Sequence, residues 1–310
     1  NNNTIYDVAS LTKVIATTPV IMKLIKKKYL HLDHEIYQFY PEFRGELKDK
    51  VTIKHLLTHS SGLKPYIQYF KDDKYKNRDD IINDIVSNQD LLFEPGSKFK
   101  YSDLGMILLM DIAEKVSGRK FSELVNSWIF KPMNMKNSYF NPSENLFNRI
   151  PPTEIDNIYR NDTVKGIVHD ENTFLMGGVS GHAGIFSNSY DIANYAQTML
   201  NLGIYNGRRV FSRRSINKFT KKQHMPYGSD YALGWDTPSI RGNSSAGDFF
   251  SEGSFGHLGF TGTSLWIDPN QKVIIILLTN RTYPTREKEG VSMYQLRRDF
   301  HNQIMQLIDS

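Results

Sequence analysis

The chain has no cysteine among its 310 residues, which excludes disulfides, thiolate chemistry and cysteine-ligated metals. That absence fits an oxidising or a reducing compartment equally. Long apolar runs are missing as well. The stretch from Val14 to Ile25 is broken by Thr17, Thr18, Pro19 and Lys23, and Val273 to Leu278 has only strand length. No segment is therefore suited to span a bilayer as a helix. Internal repeats are absent. Acidic residues are slightly outnumbered: 38 Lys and Arg face 33 Asp and Glu, a net charge of +5. Such an excess suits acidic partners, cell-wall glycans or nucleic acid. The basic residues are scattered, however. Lys26-Lys27-Lys28, Arg213-Arg214 and Lys221-Lys222 read as solvated helix faces, which argues against nucleic acid. The sequence begins Asn1-Asn2-Asn3 with neither an initiator Met nor a signal-peptide pattern, and is expected to be a fragment or processed form.

What remains is the composition of an ordinary soluble globular protein, long enough to bury a full core as one large domain or two subdomains. The run Asp7-Val8-Ala9-Ser10-Leu11-Thr12-Lys13 stands out. It places a hydroxyl and an amine one turn apart at the head of an apolar helix expected over residues 11–28. Positions three apart share a helix face, so Lys13 can reach the Ser10 oxygen. A serine hydroxyl needs a neighbouring base to become a nucleophile, and apolar surroundings are expected to push a lysine towards its neutral form. The same spacing recurs at Ser61/Lys64, Ser97/Lys100, Ser117/Lys120 and Ser215/Lys218. Ser61 and Ser117 precede a glycine as helix ends do, Ser97 follows a Pro-Gly turn, and Ser215 lies on a basic helix face. Ser10 alone opens a long apolar helix.

Further helices are expected over 52–58, 79–86, 104–116 and 121–130. Ser102 or Asp103 can cap the third of these, and Gly118 closes it. Residues 131–189 hold Pro132, Pro142, Pro151 and Pro152 with many Asn, an irregular excursion of a kind that is commonly functional. A glycine-rich turn at 177–184 precedes a helix over 190–202, and residues 236–251 read as a flexible loop. Strand-like runs at 254–260, 263–268 and 273–280 follow, the last two joined by Pro269-Asn270-Gln271. An amphipathic helix over Val291–Ile308 closes the chain. Residues 1–250 thus form a mainly helical part and 251–310 a sheet with its closing helix, together one domain.

Three segments carry a resemblance. Phe93-Glu94-Pro95-Gly96, leading to Tyr101-Ser102-Asp103, resembles the second motif, Tyr-x-Asn, of the serine β-lactamase and penicillin-binding-protein family, whose first motif is Ser-x-x-Lys. His257-Leu258-Gly259, within Phe255 to Gly262, resembles the third, Lys-Thr-Gly or His-x-Gly. Leu56-Leu57-Thr58-His59-Ser60-Ser61-Gly62-Leu63 resembles a landmark between the first two. Order, spacing and flanking residues agree over essentially the whole chain. Val168-His169-Asp170-Glu171-Asn172 through Gly184-Ile185-Phe186-Ser187 is similar to a subgroup of class C-like hydrolases of cell-wall turnover. Some of those are separate proteins and others are joined behind a glucosaminidase domain.

The resemblance implies a β-lactamase/transpeptidase-like α/β (α+β) fold: an antiparallel sheet flanked by helices, a helical subdomain, and the active site between them. It implies Ser10 as the nucleophile at a helix start, with Lys13 and Tyr101 moving protons. Tyr101, a phenol that ordinarily titrates near pH 10, would work near neutrality through the positive field of Lys13. The backbone N–H groups of Ser10 and Phe260 would form the oxyanion hole. Asp103, His257 and Gly259 fall on substrate-contacting positions of the motifs, and His169 and His182 flank the excursion where they can line the cleft. No cofactor and no metal is implied. His55 and His59 are four apart, a chelating spacing, but lack the Glu of a metalloprotease helix and read as hydrogen-bonded structural histidines. Family members carry two strands ahead of the serine motif, whereas nine residues precede Ser10 here. Those strands are expected to be missing from the chain or supplied by an upstream domain or another chain, leaving an exposed sheet edge.

The motifs depart from the family pattern where substrate is held. His257 and Leu258 stand where β-lactam-binding members have a lysine and a threonine, and neither replaces those anchors for a carboxylate. Asp103 replaces an amide, so it accepts hydrogen bonds but cannot donate them when ionised. The expectation is a serine hydrolase forming an acyl-enzyme on Ser10, an amidase, peptidase or esterase for muropeptide or small-molecule substrates. The alternatives are a D,D-peptidase or weak β-lactamase, and a muropeptide-binding sensor that does not turn over. An extracytoplasmic setting in a bacterium, periplasmic or secreted, goes with these readings.

Overall fold

The computed structural model describes residues 2–239, 242, 244–287 and 292–309. Its centre is the helix Asp103–Ser117, in which every residue from Leu104 to Asp111 is buried, followed by buried Ile112 and Ala113. A helix apolar on nearly every side belongs inside a fold, and each such Leu, Ile or Met contributes roughly 1.5–3 kcal/mol on leaving water. Ser102 starts this helix by accepting the Gly105 N–H (3.4 Å), and Gly118 ends it at φ +65°. Helices Ile53–Leu57 and Thr18–Lys26 pack against it.

The antiparallel sheet has the strand order Val273–Leu277, Ser264–Asp268, Phe255–Leu258. Trp266 lies opposite both Ile275 and Gly256. Gly256 has no room for a side chain, since a Cβ would stand 2.4 Å from the Trp266 ring. The closing helix Met293–Asp309 covers one face through Phe300, Ile304 and Met305. The helix Ser189–Leu200 packs against the edge strand Val273–Leu277 and the central strand Ser264–Asp268. Among the described residues, Val273–Leu277 has no partner along its outer edge. Val291, the expected start of the closing helix, lies outside the described residues, as do 240, 241 and 243 of the expected loop 236–251.

A second, smaller sheet bears directly on the site. Tyr6–Asp7 and Tyr139–Phe140 pair on either side of Ile185–Ser187, which ties the approach to Ser10 into the middle of the chain. Residues 131–189 also contain the ladder Glu154–Asp156 with Asp162–Val164 and the short helix Glu171–Leu175. The Asp156 carboxylate organises the turn between those strands by accepting the N–H groups of Ile158, Tyr159 and Arg160. Ladders of two or three residues are too short to leave a periodic pattern in sequence. Among the described residues, no helix is long and apolar enough to cross a membrane.

Candidate active site

The turn before Ser10 is built around a left-handed residue. Ala9 has φ +48°, a conformation that costs a non-glycine residue about 1 kcal/mol. Its N–H donates to Asp7 Oδ1 at 2.8 Å, and that bond holds the turn. Asp7 Oδ2 accepts the His169 N–H (2.7 Å), and the Asp7 carbonyl accepts the Thr261 hydroxyl (2.8 Å). One buried residue thus fastens the nucleophile turn to the middle segment and to the turn after the first sheet strand.

Beyond Ser10 the helix widens to π geometry over Lys13–Thr17, a local form often found at functional sites. Groups from the middle of the chain bond to it. Tyr195 donates to the Val14 carbonyl (2.5 Å), and Thr17 Oγ1 donates to the Gly181 carbonyl (2.6 Å).

Lys13 is fully buried. Its Nζ donates to Ser10 Oγ (2.8 Å) and the His182 carbonyl (2.9 Å), and pairs with Asp103 Oδ1 at 2.8 Å. An ammonium has three N–H donors, and three partners are in place. The sequence-based expectation of a neutral lysine is corrected here. Burial pulls the Lys13 pKa down, but the Asp103 carboxylate and the Tyr101 phenol outweigh it and hold Lys13 above the ordinary lysine value. Tyr101, with its ring centroid 5.0 Å from Nζ, is shifted up rather than towards neutrality. Burial raises it, Lys13 opposes, and Asp103 adds to the rise. At neutral pH the resting site therefore holds a charged ammonium and a protonated phenol.

The remaining candidates are placed as follows. His59 packs against the Tyr101 ring at a tilt of 39° (4.5 Å between centroids), and its Nδ1 accepts the Ser102 N–H at 3.2 Å. Burial, with the nearby Lys13, keeps it well below the usual histidine range. His55 instead closes a capping box with Thr52, so the two histidines serve separate structural ends. His257 lies 5.8 Å from the Tyr101 ring, and burial followed by Lys13 lowers it to about 3. His169 bonds Glu154 through Nε2 (2.8 Å) and faces the half-exposed Phe260 ring. His182 is held between Ser180 (2.7 Å) and Asp170 (2.8 Å). Gly259 packs against the nucleophile turn: a Cβ there would meet Thr263 Oγ1 at 2.0 Å and the Val8 carbonyl at 2.6 Å. That close approach brings Phe260 beside Ser10. Among the described hydrogen bonds, neither the Ser10 nor the Phe260 N–H is used as a donor.

Ser10, Tyr101, Asp103, His169, His182 and Phe260 line one cavity of about 280 Å³. His257 and Gly259 are not among the residues that line it. A larger cleft of about 640 Å³ near Phe130 and Lys136 brings together no comparable set. The Ser10 cavity is lined as well by Tyr66, Asp170, Glu171 and Arg286, which sequence reasoning missed. Asp170 and Glu171 adjoin His169 in a run of polar residues, and that adjacency was their available signal. Arg286 had none. A hydroxyl bonded to a buried amine, a proton-bearing cluster and two backbone donors without a described partner in one place are the components of acyl transfer.

The comparisons agree with this chemistry. The chain belongs to the β-lactamase family, whose model matches residues 1–298. It is 34% identical over 315 residues to an Escherichia coli K12 protein provisionally named a D-alanyl-D-alanine carboxypeptidase, spanning 90% of this chain and 70% of that one. It is 33% identical over 312 residues to the N-acetylmuramyl-L-alanine amidase of Bacillus subtilis 168, spanning 90% and 68%. A Bacteroides dorei crystal structure provisionally described as a β-lactamase superposes with a TM-score of 0.73, covering 100% of this chain and 87% of that one at 19% identity. That last likeness shows the fold, and the fold is β-lactamase/transpeptidase-like.

Proposed function

We propose that the protein is a serine hydrolase that forms an acyl-enzyme on Ser10 and cleaves amide, peptide or ester bonds in peptidoglycan-derived substrates. The observation that carries this reading is the bond from the buried Lys13 to Ser10 Oγ, 2.8 Å, within a cavity also lined by Tyr101. The names of the two bacterial relatives, a carboxypeptidase and a muramyl-alanine amidase, support the substrate class. An extracytoplasmic location suits such a substrate.

The resting ammonium is full, so a base has to be made. Lys13 takes the Ser10 proton as it passes one of its own to Asp103, 2.8 Å away, and Ser10 Oγ attacks the carbonyl carbon. The oxyanion faces the Ser10 and Phe260 N–H groups. Tyr101 gives its proton to the leaving nitrogen or oxygen as the scissile bond breaks. Water then enters and returns a proton to Tyr101, and its oxygen attacks the acyl carbon. Ser10 recovers its proton from Lys13, and Lys13 recovers one from Asp103. Asp103 in place of an amide is thus a proton station that the Tyr-x-Asn pattern lacks.

The test is Ser10→Ala. It is expected to abolish hydrolysis of muropeptides and p-nitrophenyl esters, together with covalent labelling by a fluorophosphonate. Retained turnover or labelling in that variant refutes the mechanism. A D-alanyl-D-alanine peptide and nitrocefin in the same panel separate the amidase reading from peptidase and β-lactamase activity.

A further inference from the structure

The cavity that holds Ser10 is also lined by a fixed donor, Arg286, and a fixed acceptor, Asp170, that the acyl-transfer steps do not use. Arg286 Nε donates to both oxygens of Glu154 (2.9 and 2.9 Å), and its NH2 donates to Glu171 Oε1 (2.7 Å). The two acids are almost fully buried, while the arginine side chain is 20% exposed. NH1 carries none of these bonds. Two carboxylates largely cancel the guanidinium charge, which leaves NH1 as a fixed, directional donor rather than an attractor of anions. Burial opposes ionisation of Glu154, yet His169 and Arg286 hold it down at about 2, so the support for Arg286 is permanent at physiological pH.

Asp170 is fixed equally well. Its Oδ1 accepts the Thr173 N–H (2.7 Å) and bonds His182 Nε2 (2.8 Å). Oδ2 carries neither bond, and the side chain is 21% exposed. Three carboxylates, Asp103, Asp170 and Glu171, line the cavity with one cation, Arg286, while Lys13 is buried and paired to Asp103, and this balance disfavours an anionic ligand.

We propose that Asp170 and Arg286 form a clamp that reads a secondary amide in the acyl part of the substrate. The carboxylate accepts the amide N–H and the guanidinium NH1 donates to the amide oxygen. The C=O and N–H of a trans amide point in opposite directions, so a group lying between a fixed acceptor and a fixed donor is held at both ends. An acyl group without the amide leaves both partners unsatisfied, and a site built to hydrogen-bond discriminates strongly against such an analogue. The amide belongs to an N-acetylated amino sugar or to a peptide, which share this chemistry. The inference rests on Ser10 being the nucleophile.

The experiment compares p-nitrophenyl esters of N-acetylglycine and of pentanoic acid, which have the same chain length, each rate divided by its uncatalysed hydrolysis. Wild-type kcat/KM is expected to favour the amide ester by about tenfold or more, and the N-acetylsarcosine ester, which lacks the N–H, is expected to lose most of that advantage. Asp170→Asn and Arg286→Lys are each expected to bring the ratio towards one. A wild-type ratio near one, or a ratio unchanged in both variants, overturns the clamp. The sarcosine arm needs no variant and so stands even where a substitution prevents folding. Competitive inhibition by N-acetylglucosamine assigns the amide to a sugar, and inhibition by N-acetylalanine amide assigns it to a peptide, either supporting the clamp. Fluorophosphonate labelling of wild-type Ser10 is read separately, so failure of the nucleophile and failure of the clamp are distinct results.

Discussion

Replacing Asp103 by Asn removes the charge that keeps Lys13 protonated and leaves an ammonium buried among neutral acceptors only, the new amide oxygen, Ser10 Oγ and the His182 carbonyl. At the effective dielectric near 20 that suits such sites, unit charges about 4 Å apart interact by about 4 kcal/mol. Breaking one half of a buried pair typically costs 3–5 kcal/mol. Asp103 is partly exposed, at 18%, so we expect a loss of about 3 kcal/mol at pH 7, the low end of that range. The sign of the pH dependence follows from burial. With Asp103 present, Lys13 binds its proton more tightly in the folded than in the unfolded chain. That stability is complete below the ordinary lysine range and lost only as pH rises through the higher folded value. In the Asn variant burial, the largest influence on Lys13, has lost its main counterweight and only Tyr101 still opposes it, so the folded state favours neutral lysine and stability should rise with pH. Urea denaturation of both proteins at pH 7 and pH 9.5 measures this, and the deficit should shrink at the higher pH. Turnover in the variant should be reduced at pH 7 and partly recover as pH rises, because Lys13 can then accept the Ser10 proton without a relay. A deficit under about 1 kcal/mol, the worth of a surface pair, or one equal at both pH values, refutes the claim that Asp103 sets the lysine charge.

Glu154 provides a second pH-dependent test. Its folded value of about 2, against 4.5 for the free group, corresponds to about 3 kcal/mol of stability. That contribution is present above the unfolded carboxylate value and lost as pH falls through about 2, so Glu154→Gln should be destabilised at pH 7 and converge on wild type in strong acid. Asp7→Ala should release Ala9 from its left-handed turn and lower kcat on p-nitrophenyl esters far more than it changes KM, with Asp7→Asn intermediate. A pure KM effect would show that Asp7 acts on substrate rather than on the nucleophile.

Much of the scaffold was legible in the sequence because the long elements carry their own signals. Ser102 and Gly118 bracket the central helix, apolar residues fill it, and the three sheet strands follow one another at the end of the chain. The Ser10, Lys13 and Tyr101 neighbourhood was legible for a different reason: short-range spacing placed the first two, and motif resemblance placed the third. Electrostatics were not legible. The charge state of Lys13 depends on Asp103, ninety positions away in the sequence, and burial alone suggested the opposite sign. Arg286 was invisible because its role is created by Glu154 and Glu171, which reach it only through tertiary contact. The ladder that seats Tyr6–Asp7 against Ile185–Ser187 is too short to leave a periodic trace.

The anchoring of Asp7 has a bearing on when the enzyme becomes competent. Of its three bonds one is local, to Ala9, and the other two join residue 7 to residues 169 and 261, the longer separation spanning most of the polypeptide. Contacts so distant along the chain form late and slowly. A chain in which the central helix has formed but these distant contacts have not is therefore expected to lack hydrolytic activity.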